Sequence, residues 1–293
     1  MRSDLKLFVP YTNTDSLNTL KNPGTWMFLF FAFIVLPINQ AVPSEEELVA
    51  MVMIYFALAW VAYFYVVMAQ RRTNLWIGLA TAVFAVVVGI PFGRALKYTI
   101  FAPFYHINSS PNDVVRFVGT VGSHGMAEES LKFLPVILLA FVFKQVKKPI
   151  DGMFYGALAG LGFAAWEGYK YVIDPKYGGV LIQTLVRSTA LPMLHAAYTA
   201  IGCFFVAMAI FEKTTTGRIK LCALGYLISS TLHGIYDFLS GTPKSVLAML
   251  IYFLMCAYAA QGRRIGEVLA GGHAAQATSQ AQVEEVQAAP AVV

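Results

Sequence analysis

Long apolar runs are the feature that most narrows what this chain can fold into. Eight of them cover roughly 26–42, 47–69, 74–93, 124–143, 151–171, 186–211, 218–239 and 244–262. A helix needs about 20 apolar residues to cross a hydrocarbon core. Most of these runs approach that length and are continuous rather than alternating, which excludes barrel strands. With 58% hydrophobic and only 13% charged residues, the chain is too apolar for an ordinary soluble domain. The expected fold is therefore all-α, a polytopic transmembrane helical bundle of about eight spans. Residues 1–25 are expected as a cytoplasmic N-terminal segment, 26–262 as the bundle with its core motifs in 120–240, and 263–293 as a disordered cytoplasmic tail rich in Ala and Gln. The first run, Trp26 to Ile38, lacks a small-residue cleavage site and reads as a signal anchor, which Pro37 kinks or ends.

The net charge of +5 fits the loops of a membrane protein whose partner is the lipid bilayer. It gives no reason to expect nucleic acid. With the N-terminus inside, the inner loops hold Arg71, Arg72, Lys144, Lys147, Lys148, Lys213, Arg218, Lys220, Arg263 and Arg264. The outer loops hold fewer cations, and one of them carries Glu45, Glu46 and Glu47. That bias predicts both termini inside. The long outer loop, roughly 94–123, reads as a lid, a re-entrant segment or a plain connector.

Against this apolar background, ionisable residues stand out. Glu128-Glu129-Ser130-Leu131-Lys132 heads a segment that carries no further charge to Phe143. On a helix both carboxylates flank Lys132, and Glu128, four residues away, shares its face most closely. Each such charge costs roughly 2.5–3.5 kcal/mol near a bilayer centre on insertion scales. Glu167 falls near the end of the fifth run, His195 in the first half of the sixth, and His233 and Asp237 near the end of the seventh. Counting the rise per residue, all lie within roughly 6–15 Å of the outer interface. His124, one turn before Glu128, either joins them or lies above the membrane. Carboxylates and imidazoles gathered in one layer suit a metal site or the activation of a water. Ser130 has no paired base at suitable spacing and is not read as a nucleophile. Gly152, Gly156, Gly160, Ala164 and Gly168 recur every four residues and predict a smooth face for close helix packing. Cys203, Cys222 and Cys256 have neither metal nor disulfide spacing.

Taken in order, Glu128-Glu129-x-x-Lys132, Asp151-Gly152, Tyr155-Gly156-Ala157, Gly160-Leu161-Gly162-Phe163-x-x-x-Glu167, His195 and His233-x-x-x-Asp237 resemble the PrsW family of intramembrane proteases. These proteins are distantly similar to the CAAX prenyl proteases, from which this chain departs at Glu167 and Asp237. The resemblance implies hydrolysis of a peptide bond in a membrane-anchored protein, such as an anti-sigma factor, near the extracytoplasmic face of a bacterial inner or plasma membrane.

The expected chemistry is hydrolysis by an activated water without a covalent intermediate. Glu128 or Glu129 would act as general base, and Glu167, His195 and His233 would hold a divalent metal, zinc by preference, or position the water directly. Asp237 would support His233 or the oxyanion region, and Lys132 would keep the glutamates charged and oriented. Two rival readings use the same residues: a proton- or ion-coupled transporter, and a non-catalytic scaffold in which the polar layer only packs the bundle.

Overall fold

A computed structural model of the chain describes residues 46–68, 73–174, 180–240 and 242–288. The segment 1–25 and the first expected span, 26–42, lie outside them. Among the described residues every regular element is helical, and there is no strand. Three helices are long and apolar enough to cross a membrane, Leu75–Tyr98, Thr184–Ala209 and Ser245–Leu269, and a shorter apolar helix covers Val52–Met68. The expected spans at 124–143, 151–171 and 218–239 also fold as helices, diluted by the glycines, hydroxyls and charges they carry.

In chain order, α1 is Glu46–Met68 and α2 is Leu75–Tyr98, with a π turn at Ala85–Gly89. The stretch expected as a long loop is mostly helical. It holds α3, Ala102–Ile107, and α4, Asp113–Thr120. Pro103 in the first turn of α3 and Asn112 before α4 explain this. Proline is pre-set for a first helical turn, and the Asn112 side chain accepts from the N–H groups of Val114 and Val115 at 3.0 and 3.1 Å. A π turn, Val121–Met126, joins α4 directly to α5, Ala127–Ile137. A second π turn, Leu138–Val142, ends the rod, and Lys144 then takes φ 52°, the left-handed form common at helix ends. The remaining helices are α6, Pro149–Ile173; α7, Val180–Ser188; α8, Ala190–Ala209; α9, Thr215–Leu239; and α10, Met249–Ala288. The tail expected to be disordered is thus helical as far as Ala288. Its Ala, Gln and Glu residues are strong helix formers even without an apolar period.

The bundle is built around α8. Every residue from Leu191 to Ala209 is buried, as expected for a helix that is apolar on all sides. Its main neighbours are α6 and α9. The glycine stripe of α6 lies against it. A Cβ added at Gly152 would stand 2.7 Å from the Cys203 carbonyl, one at Gly156 would stand 2.7 Å from the Cys203 Cβ, and one at Gly160 would overlap the His195 carbonyl. On the other side Gly225 of α9 meets the Gly202 carbonyl, and Gly125 meets the Ser230 carbonyl. Backbone meets backbone carbonyl at Gly160, Gly225 and Gly125, and at Gly152 and Gly156 small side chains share the contact. On the outside, Ile54, Leu58, Val66, Trp76, Val83 and Val87 are exposed apolar side chains, a surface suited to lipid.

Gly160→Ala is expected to destabilise the protein by about 1–3 kcal/mol, the usual cost of overpacking. Gly262→Ala, whose Cβ would meet nothing closer than 3.3 Å, should cost less. Thermal unfolding of the two variants in detergent measures the difference, and equal melting temperatures would contradict the backbone contact at Gly160.

Candidate active site

Four helix ends meet at one end of the bundle: the start of α5, the end of α6, the start of α8 and the end of α9. The basic stretches Lys144–Lys148 and Lys213–Lys220 belong to the opposite end, at the turns α5–α6 and α8–α9.

Glu129 is the centre of this junction and is fully buried. Its Oε1 accepts from Lys132 Nζ at 2.7 Å and lies 3.0 Å from His233 Nδ1. Its Oε2 accepts from Thr199 Oγ1 at 2.8 Å and Ser229 Oγ at 2.7 Å. A carboxylate has room for about four donors, so Glu129 is satisfied. An ionised carboxylate can only accept, which puts the His233 ring proton on Nδ1 and leaves Nε2 free. Tyr198 stacks on that ring, with centroids 4.5 Å apart and an interplanar angle of 13°.

Lys132 is also fully buried. Its Nζ stands 2.9 Å from His195 Nδ1 and 4.3 Å from the centroid of the Phe163 ring. Glu128 Oε2 is farther away, at 3.6 Å. The carboxylate three residues before the lysine, not the one four before it, is therefore the close partner. Glu128 faces the cavity instead. Its Oε2 is buried without a hydrogen-bond partner and lies 3.5 Å from His233 Nε2. Asp237 Oδ2 is 3.5 Å from the same nitrogen, and Glu167 Oε2 is 3.3 Å from His195 Nε2.

All seven residues singled out in the sequence are thus brought together. Glu128, Glu167, His195, His233 and Asp237 line a polar cavity of about 240 Å³, while Glu129 and Lys132 lie behind it. His124 lines the same cavity, with its Nε2 3.1 Å from Asn108 Nδ2. Ser130 is engaged elsewhere, 2.8 Å from the Tyr226 hydroxyl. Thr199, Ser229 and Tyr198 were not anticipated. The signal was available, since Thr199 follows His195 by four residues and Ser229 precedes His233 by four, each on the face of its histidine.

Glu128, His195 and His233 offer ligand atoms that all lie within 4.8 Å of one another. One carboxylate and two imidazoles suit zinc, and the buried, unpartnered Glu128 oxygen is the kind of atom a cation would satisfy. The residues fit a divalent metal. Glu167, expected among the ligands, stands outside this set of three, which includes Glu128, although its Oε2 lies beside His195 Nε2.

Glu129→Gln is expected to unfold or strongly destabilise the protein. It leaves the buried Lys132 without its counter-ion, a change that costs about 3–5 kcal/mol. Glu128→Gln should leave the melting temperature nearly unchanged. Parallel thermal melts check the contrast, which fails if the two variants behave alike.

A family model described as PrsW family intramembrane metalloprotease matches residues 70–260. Relatives named Protease PrsW from Shouchella clausii (strain KSM-K16) and Bacillus subtilis (strain 168) are each 31% identical over 133 residues, 45% of this chain. One from Clostridioides difficile (strain 630) is 25% identical over 133 residues. The chain spans 59%, 57% and 56% of these three relatives' lengths. No solved structure matches significantly.

Proposed function

The chain belongs to the PrsW family of intramembrane metalloproteases, and from that premise we propose that it hydrolyses a peptide bond of a membrane-anchored protein. The observation that carries this reading is the division of labour between adjacent glutamates. Glu129 is saturated by four donors, whereas Glu128 presents an unpartnered oxygen to a polar cavity beside two imidazoles. A scaffold that only packed helices would satisfy both.

In this reading Glu128, His195 and His233 hold a zinc ion. The chemistry such an ion supplies is Lewis-acid polarisation of the reacting water and carbonyl. Glu167 is the general base, since it lines the cavity and is free of the three-donor set. Asp237 lines the cavity beside His233 and is the carboxyl group that would supply a proton to the leaving amine. Glu129 fixes the His233 tautomer so that Nε2 is the available nitrogen, a use typical of carboxylates behind metal-binding histidines. Lys132 neutralises Glu129.

One contact favours a second, metal-free reading. A charged Lys132 donates to His195 Nδ1, which places that ring's proton on Nε2, toward Glu167. With His195 so protonated, Glu128 itself is the base that activates the water, and His195 and His233 orient it.

The wider setting belongs to the same proposal. Eight spans with both termini inside put the site near the extracytoplasmic face, supported by the basic turns at the other end of the bundle. A membrane-anchored substrate such as an anti-sigma factor, cut in a regulated first step, fits that side.

Cells expressing Glu128→Gln, Glu167→Gln or His233→Ala should release fewer membrane-protein ectodomains than wild type, by about 10²–10⁴-fold in rate. Quantitative proteomics of shed fragments is the measurement, and unchanged fragments in all three variants would defeat the protease reading. Purified wild type should carry about one zinc per chain and lose cleavage on chelation. Glu167→Gln should keep the metal and His233→Ala should not. Full cleavage by metal-free protein would select the second reading.

A further inference from the structure

A second cavity of about 180 Å³ opens beside the first, between the end of α2 and the end of α6. Glu128, Glu167, His124 and Tyr171 line both cavities, so the two spaces meet at the reactive carboxylates. The inner wall is apolar, formed by Ile90, Leu131 and Phe163, which pack together as a small cluster. The outer wall is cationic, with Arg94 and Lys97 from the last turns of α2 and Lys170 from the last turn of α6. No carboxylate lies within ion-pair distance of these three among the described residues. Aromatic rings hold two of them. Lys97 Nζ sits 4.2 Å above the Tyr105 ring, and Lys170 Nζ is 5.5 Å from Trp166 and 5.4 Å from Tyr171. Cations that rest on rings are positioned in advance yet keep their charge unspent.

We propose that this cleft is a substrate subsite, and that it selects a segment in which an apolar residue beside the scissile bond is followed by aspartate or glutamate. Leu131 and Phe163 lie about a turn inward of Glu128 and Glu167 on their helices, whereas Lys170 lies a turn outward and Arg94 and Lys97 lie outward of Ile90. The carboxylates thus stand between the apolar wall and the cations, and a chain crossing them meets the two in that order. Three cations with no carboxylate at ion-pair distance attract and orient such a segment at the mouth, the usual work of charge complementarity. The proposal rests on the protease reading, because it takes the occupant to be the chain being cut. A phospholipid headgroup has compatible charge, but it would need no passage to the catalytic carboxylates.

The test uses full-length protein in phosphatidylcholine nanodiscs. The probes are single-span peptides of leucine and alanine with a photo-crosslinker at the outer helix end, followed by four aspartates, four serines or four lysines. With the Glu128→Gln protein, crosslinking of the aspartate peptide should exceed that of the lysine peptide by about tenfold. Arg94→Glu with Lys97→Glu should reverse the order. Arg94→Gln with Lys97→Gln should erase it while retaining the serine peptide, which shows that the variant is folded. Equal crosslinking of acidic and basic peptides, or an order unchanged by the double reversal, overturns the subsite. A preference that appears only when phosphatidylglycerol is added also overturns it and assigns the cleft to lipid. Wild-type cleavage separates the two claims. Cutting without charge preference sinks the subsite and keeps the protease, and charge-selective binding without any cutting keeps the cleft and sinks the protease.

Discussion

The buried pair Glu129–Lys132 is the interaction on which the rest of the site depends. Both side chains are fully buried, and removing two charges from water costs several kcal/mol per ion unless geometry and further hydrogen bonds offset it. Here the compensation comes from four residues on two other helices. Thr199 and His195 of α8 and Ser229 and His233 of α9 complete the shells of the two charges. The pair therefore acts as a coupling. α5 cannot shift relative to α8 or α9 without exposing an unpaired charge to an apolar interior. Both imidazoles take their orientation from it, so its worth lies in placement more than in stability.

Such a coupling works only where helices approach closely, and glycine makes that possible. Gly160 lets α6 reach the His195 carbonyl, which brings Glu167 to 3.3 Å from the same residue's ring. Gly202 and Gly225 do the same between α8 and α9, one turn from the Ser229 hydroxyl that binds Glu129. In a lipid setting, where apolar surface gains little from helix contact, short backbone distances and buried hydrogen bonds are the forces left to specify packing. The polar layer and the glycine stripe are two halves of one arrangement.

Much of this was legible in the residues. Helical class followed from continuous apolar runs, and the six carboxylates and imidazoles, with Lys132, stood out because charge is expensive in such runs. The stripe from Gly152 to Gly160 announced a close neighbour, although not that α8 would be it. What sequence spacing missed was which glutamate does what. A helical wheel places Glu128 nearer Lys132 than Glu129, and that order is reversed by Thr199, Ser229 and His233, which arrive from far along the chain. Hydroxyl residues in apolar helices carry little signal alone, and only the four-residue spacing of Thr199 to His195 and of Ser229 to His233 marks them. The helices at 102–120 were hidden by prolines and polar residues that serve as caps rather than breaks. The helical tail was hidden because propensity without an apolar face looks the same as disorder.

The π turn at Val121–Met126 carries a consequence of another kind. A π turn accommodates one residue more than an α turn, and each residue advances a helix by about 100°. The angular phase of Glu128, Glu129 and Lys132 is therefore set by how many residues precede them in the α4–α5 rod. Rewinding the same residues as regular α-helix would swing the glutamates about a quarter-turn away from His195 and His233, whereas deleting one residue between 121 and 126 along with the π turn would leave them facing those rings. The site is thus specified by the winding of the rod as well as by residue identities.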